Sequence, residues 1–268
     1  MRAFVLGSGS SGNALLIESC GTKVMIDAGV GPRLVAARLA ELGIELRPGD
    51  LHGIVATHHH GDHYAHADRL AAVFQTPLYL HAGLEPPPPP TSGRAGDPVE
   101  VRRYEIGRDF RIGDVTVSTV QVPHDATQVA VRVAGKNAAI GVATDVGRVT
   151  PGLVALLADC DAALVEANHC PEMLAASEYP DVVKRRVSGG FGHLSNEQAA
   201  ELAARLVGSR LSRLWLGHLS RSNNTPERAL DVVASRARRI DVDVVPGTSP
   251  VALDVRSVRP YQLGLPFA

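Results

Sequence analysis

An α/β fold rich in sheet is predicted by three features of the chain. A dozen short apolar runs recur along it, glycine and other turn-forming residues mark their ends, and helical patterns fall between them. In order, strands are expected at 3–6 (AFVL), 13–19 (NALLIES), 23–27 (KVMID), 53–57 (GIVAT) and 77–80 (PLYL). They continue at 115–122 (VTVSTVQV), 128–133 (QVAVRV), 138–144 (AAIGVAT), 162–167 (AALVEA), 213–217 (RLWLG), 242–246 (VDVVP) and 251–255 (VALDV). VTVSTVQV alternates apolar and polar residues, so one face is buried; AAIGVAT and AALVEA read as strands covered on both faces.

The helical patterns carry their own punctuation. PRLVAARLAEL (32–42) runs into Gly43, a residue suited to the position just past a helix end. Ser195 with Gln198 forms a capping-box pattern ahead of QAAELAARL, and Thr225 with Pro226 opens PERALDVVASRARR as N-cap and first helical residue. The low-complexity stretch PPPPPTSGRAGDP (86–98) is incompatible with helix or central strand and is expected as an exposed, stiff loop within one domain spanning 1–268.

With 268 residues, 45% of them hydrophobic, the chain is long enough for a substantial core. A net charge of −1 provides no general basic field for nucleic acid, so an anionic partner must be held by a local site. The basic clusters KRR (184–186) and RARR (236–239) are expected to be solvated helix faces. Three cysteines, Cys20, Cys160 and Cys170, lack paired spacing and fit a reducing cytoplasm. The opening MRAFVLGSGSSGN breaks its apolar run too early for a signal peptide, and no run suits a membrane span, so a cytoplasmic protein with no membrane association is expected.

The chemistry concentrates in ATHHHGDHYAH (56–66). His58 and His60 stand two apart at a strand end and point the same way, and Asp62 and His63 begin the next helical stretch. Imidazole and carboxylate in this density form a candidate metal site. Further polar residues stand just past other strands: Asp27 after KVMI, His124 after VTVSTVQVP, Asp145 after AAIGVAT and His218 after LWLG. Such positions are where α/β sheets hold ligands.

The HxHxDH pattern of His58, His60, Asp62 and His63, followed by His124, Asp145 and His218, resembles the metallo-β-lactamase superfamily. That resemblance implies a four-layer αββα sandwich, two mixed sheets flanked by helices, with two divalent ions at one edge. It further implies that His58, His60 and His124 hold one ion and that Asp62, His63 and His218 hold the other. Asp145 would bridge them and Asp27 would support the site from beneath. The opening LGSGSSGN, then EANHCPEML, GHLSN and GHLSRSNNTPE, are similar to the YycJ/WalJ type, which implies 5′→3′ DNA exonuclease activity. Cys170 stands where that likeness leads one to expect an acidic residue.

Two divalent ions set against two carboxylates and a hydroxide leave net positive charge, which suits a phosphodiester anion. The expected reaction is in-line attack on phosphorus by a metal-bridging hydroxide, with Asp62 also able to take a proton from the nucleophile. Zinc, manganese or iron would suit these ligands, and DNA is expected over RNA. GHLSN (192–196) leaves His193 spare beside a helix start, so His193, Ser195 and Asn196 are candidates for holding a substrate phosphate, and His193 for catalysis. Asn223, Asn224 and His169 are further substrate candidates. His52, His59, His66 and His81 are expected at the surface. Three alternatives stay open: a small-molecule, including cyclic, phosphodiesterase; a ribonuclease; and a metal-stabilised binding protein without catalysis. Oligomeric state is left open by the sequence.

Overall fold

The computed structural model describes residues 1–85 and 99–256; the proline-rich stretch 86–98 lies outside the described residues. The expected four-layer sandwich is found. One sheet has the strand order β14-β1-β2-β3-β4-β5-β6, the other β13-β12-β11-β10-β9-β8-β7. The first sheet comprises β1 (Arg2–Gly7), β2 (Ala14–Ser19), β3 (Thr22–Ile26), β4 (Gly53–Val55), β5 (Leu78–His81), β6 (Val101–Tyr104) and β14 (Val251–Asp254). The second comprises β7 (Phe110–Ile112), β8 (Val115–Val122), β9 (Gln128–Ala134), β10 (Ala139–Ala143), β11 (Ala162–Glu166), β12 (Arg213–Gly217) and β13 (Asp241–Val244).

Period-two side-chain alternation builds three apolar layers from these strands. Ala3, Val5, Ile17, Val117, Val131 and Leu164 meet between the sheets. Phe4, Leu6 and Leu16, facing the other way, pack beneath α1 (Pro32–Glu41) and α3 (Ala67–Phe74) through Val35, Leu39, Leu70 and Phe74. On the opposite outer face Val165, Leu214 and Leu216 pack under α4 (Pro151–Ala158), α7 (Asn196–Leu206) and α8 (Pro226–Arg236). Among the described residues no helix is long and apolar enough to cross a membrane.

Local signals resolve as the sequence predicts where capping decides. Gly43 has φ +70°, and Gly43 N and Ile44 N donate to Ala40 O and Leu39 O, the two bonds of a Schellman end. The Ser195–Gln198 capping box forms, and the Thr225 side chain accepts from Arg228 N. Two strands and three further helices join the expected set: β6, β7, α4, α5 (Pro171–Ala176) and α6 (Asp181–Ser188). A short α2 (Gly61–Tyr64) carries Asp62 and His63.

Strands β3 to β6 run parallel, as do β10 to β13, so their carboxyl ends gather at one edge of each sheet. At this edge Gly29 lies against α2: a Cβ there would sit 1.7 Å from the Asp62 carbonyl oxygen. Nothing larger than glycine fits without displacing the loop that carries Asp62 and His63. Gly29→Ala is therefore expected to lower stability by about 1–3 kcal/mol, the usual range for overpacking. Thermal denaturation of the purified variant checks this; an unchanged Tm would contradict it.

Candidate metal centre

Asp27 follows β3, His58 follows β4, His124 follows β8, Asp145 follows β10 and His218 follows β12. Three of these adopt left-handed backbone conformations: φ is +63° at Asp27, +56° at Asp145 and +52° at His218. Such residues cost about 1–3 kcal/mol each and persist where surrounding contacts over-determine them. Those contacts are present. Asp27 N donates to Val55 O at 2.9 Å, His218 N to Ser8 Oγ at 2.8 Å, and Val146 N, next to Asp145, to Glu166 Oε1 at 2.6 Å.

The histidines converge with one ring nitrogen of each fixed. His63 Nδ1 donates to Asp27 Oδ2 at 2.7 Å, and Asp27 is itself held by Thr57 N and Oγ1. His124 Nδ1 donates to Gly192 O at 3.1 Å and His218 Nδ1 to Glu166 Oε2 at 3.2 Å. His58 Nδ1 lies 3.1 Å from Thr57 Oγ1. His60 is turned the other way: its Nε2 lies 3.2 Å from Asp125 Oδ1, and its Nδ1 faces His124 Nε2 at 3.2 Å. A partner on one nitrogen sets the tautomer and aims the other nitrogen at the site.

Four overlapping donor groups result among the described residues, and in each the ligand atoms lie within 4.8 Å of one another. Two of them are His58 with His60 and His124, and Asp62 with His63 and His218; Asp145 belongs to the others, one with His58 and His63 and one with Glu166, His193 and His218. Asp145 also faces the first two. Its Oδ2 lies 2.7 Å from His63 Nε2 and 3.8 Å from His218 Nε2, while its Oδ1 lies 3.9 Å from His124 Nε2. Among the described residues, the Nε2 atoms of His58 and His218 are buried without hydrogen-bond partners, and Asp145 Oδ2 accepts no aligned hydrogen bond despite its short contact. Buried, partnerless imidazole nitrogens facing a carboxylate fit divalent cations, whose ligands they are. Asn13 braces this side, with Nδ2 3.3 Å from Asp62 Oδ2 and 2.8 Å from His63 Nε2.

Burial and charge compete at each group. Burial pushes the His58 and His60 imidazoles below their usual range, keeping them neutral. Burial acts the same way on His63 and His218, but Asp145 outweighs it, raising His63 well above normal and His218 to about 10. Burial would raise Asp145 and Glu166; the charges of His218 and His63 hold Asp145 well down, and His193 brings Glu166 to about 2. Burial would raise Asp62 as well, but the neighbouring His218 and His63 outweigh it and hold the carboxyl below its usual range.

Glu166 and Asp125 were not singled out from the sequence. Glu166, the last residue of β11, is fully buried; its Oε1 accepts from Val146 N and Leu194 N, and its Oε2 accepts from His193 Nδ1 at 3.1 Å and His218 Nδ1. Inside an apolar strand it read only as core. Asp125 adjoins His124 in sequence, and that adjacency was the one available signal. Its Oδ2 accepts from Arg186 Nε at 2.9 Å, so Arg186 belongs to the cleft rather than to a purely solvated face.

His193 joins the cleft, which encloses about 440 Å³ beside His60, Asp62, His124, Asp145 and His218. The other substrate candidates are elsewhere. Ser195 Oγ caps α7, and Asn196 and Asn224 exchange side-chain amide hydrogen bonds at 2.9 and 2.8 Å. Asn223 donates to Ser220 Oγ, and His169 is buried against Ser195. These buried residues shape the loops behind the site and do not line it. His81 corrects a surface expectation: it is fully buried, bonded to Thr57 O and Gly83 N. His66 is only half-buried, with a buried Nδ1. Cys170 Sγ donates to Glu172 Oε2 at 2.9 Å, away from the cleft.

Residues 22–218 match the family described as a beta-lactamase superfamily domain. The chain is 32% identical over 247 residues to exodeoxyribonuclease WalJ of Streptococcus pneumoniae, covering 90% of this chain and 89% of that one. It is 30% identical to exodeoxyribonuclease YycJ of Bacillus anthracis, covering 84% of each. The crystal structure of the metallo-beta-lactamase fold protein YhfI from Bacillus subtilis superposes with a TM-score of 0.68 at 14% identity, over 93% of this chain and 98% of that one.

Metal ligands must be deprotonated, so zinc added to chelator-treated protein at pH 7 is expected to displace the protons held by His63 and His218, about two per protein. Calorimetry in buffers of different ionisation enthalpy measures this, and zinc binding without proton uptake by buffer would contradict it. Glu166→Gln, which removes the carboxylate behind His218, is expected to weaken zinc affinity about 10–100-fold, as measured by competition with a chromophoric chelator.

Proposed function

The chain belongs to the metallo-β-lactamase superfamily and, within it, to the WalJ/YycJ type, and on that premise we propose that this metal-dependent hydrolase is a dinuclear phosphodiesterase that removes nucleotides from DNA in the 5′→3′ direction. The observation that carries the reading is Asp145, whose two carboxylate oxygens face different donor groups, each drawn from both sheets. His58, His60 and His124 would hold one ion and Asp62, His63 and His218 the other, with Asp145 shared. Ions held there would lower the pKa of water from 15.7 to about 7 and neutralise charge on phosphoryl oxygens.

The chain's own groups supply the remaining steps. The Asp62 carboxylate, held below its normal pKa, stays ionised and takes the proton from the attacking water. Burial disfavours the charged form of His193, but Glu166 beside Nδ1 outweighs it and raises the imidazole above its usual value. With Nδ1 given to Glu166, Nε2–H is the group left to donate to the substrate phosphate or to the departing 3′-oxygen. The open mouth of the cleft would admit a polymer end, with Arg186, ion-paired to Asp125, at its rim.

Two experiments test this reading. Oligonucleotides labelled at either end, as DNA and as RNA, are incubated with zinc- or manganese-loaded protein. A 5′ label is expected to appear as mononucleotide from the first turnover, and a 3′ label to pass down a ladder. Release of the 3′ label first would reverse the direction, and cleavage of RNA alone would make the protein a ribonuclease. Asp145→Ala is expected to reduce cleavage to background. His193→Ala is expected to lose about 10²–10⁴-fold in rate while keeping both ions by elemental analysis; loss of an ion would make His193 a ligand instead.

A further inference from the structure

Helix α6 buries none of its residues, although it stands directly beside the cleft. Its two faces are unlike. Val183, Arg186 and Val187 line the cleft, while Lys184, Arg185 and Ser188 line a neighbouring pocket. The segment around it is apolar where it meets solvent: Tyr179 is 37% exposed, Val182 65% and Phe191 58%. These make up half of the six exposed large hydrophobic residues among the described residues, so the patch is concentrated here.

The cations are distributed to match. Arg186 is engaged by Asp125 and the Lys184 ammonium by Ala175 O, whereas Arg185 is exposed and makes no ion pair among the described residues. The Arg148 guanidinium sits 5.7 Å from the centroid of the Phe191 ring, a cation–π contact covering one side of an otherwise exposed aromatic. The acidic groups of the segment are Glu178 and Asp181, fewer than these cations. Phe191 is also fixed relative to the site. A Cβ on Gly147 would meet Gly190 O at 2.4 Å and Phe191 Cα at 2.6 Å, so the 190–191 backbone is packed against the loop that follows Asp145.

We propose that residues 179–191 form the platform for a single strand of nucleic acid entering the cleft. One base stacks on Phe191, and Lys184 and Arg185 neutralise the phosphates that follow. The proposal rests on reading the cleft as a nuclease site. A single strand is the occupant that this chemistry selects: a duplex keeps its bases stacked inside, whereas an unpaired base offers a flat face to an exposed aromatic, and adjacent cations track the backbone. With a net charge of −1 over the whole chain, such binding must come from a local patch of this kind.

Phe191→Trp places a reporter indole at this exposed position, while Trp215 is buried. In stopped flow, a thymidine 20-mer mixed with metal-loaded Phe191→Trp is expected to quench the new emission saturably before cleavage begins. Phe191→Ala is expected to raise KM for a single-stranded 20-mer about tenfold. The Lys184→Ala/Arg185→Ala pair is expected to lower the slope of log K against log salt by about 1.4, or roughly 0.7 per lost phosphate contact. Unquenched emission together with a wild-type KM for Phe191→Ala would overturn the platform. Wild-type protein is assayed in parallel on bis-p-nitrophenyl phosphate and DNA. Failure to hydrolyse either would overturn the nuclease reading, and the quench would still decide the platform.

Discussion

Crowding imidazoles out of water is the constraint from which the rest of this molecule follows. His58, His60, His63, His124 and His218 form a chain of neighbouring rings with centroids 4.4 to 5.7 Å apart, and most are fully buried. Left free to rotate and titrate, such rings would repel one another and carry unsatisfied nitrogens. Here a hydroxyl, a backbone carbonyl or a carboxylate fixes one nitrogen of every ring, and Asp145 supplies the opposing charge. Burial, tautomer and direction are thereby set together.

The sandwich exists in a form that satisfies this constraint. Asp27, His58, His60, Asp62 and His63 come from the first sheet's edge, while His124, Asp145, Glu166, His193 and His218 come from the second. Neither sheet alone assembles a donor group that includes Asp145 and His63. The apolar layer between the sheets fixes their separation, and left-handed turns at Asp27, Asp145 and His218 bend the chain inward just where each strand ends. Strain at these corners is offset by hydrogen bonds that come from distant segments, Ser8 to His218 being the longest link in sequence.

Much of this was legible in the sequence, for identifiable reasons. VTVSTVQV and RLWLG matched their strands residue for residue because alternation and full burial leave strong patterns. Capping residues placed α7 and α8 correctly. The elements that escaped lack those signals. β6 reads VRRY, whose adjacent arginines break period-two alternation, and β7 reads FRI, which alternates but is only three residues long. PGLVALLA of α4 is apolar nearly throughout, so it lacks the 3.6-residue stripe of a surface helix. The eight residues of α6 carry a short valine stripe beside the KRR run but bury none of it. In the site, histidines announced themselves by density, whereas Glu166 lay hidden in an apolar run and acquires its role only through contacts more than twenty residues away. Asn196 and Asn224 stand beside a motif in sequence, and in the fold their side-chain amides satisfy each other.

Glu166 has one consequence for how such a centre can change over evolutionary time. A single carboxylate oxygen serves both His193 and His218, so a substitution that retunes one imidazole is transmitted to the other. Divergence toward a new substrate or ion would then have to proceed through compensated pairs of replacements. Lineages that alter this carboxylate should be found to have altered both histidine environments with it.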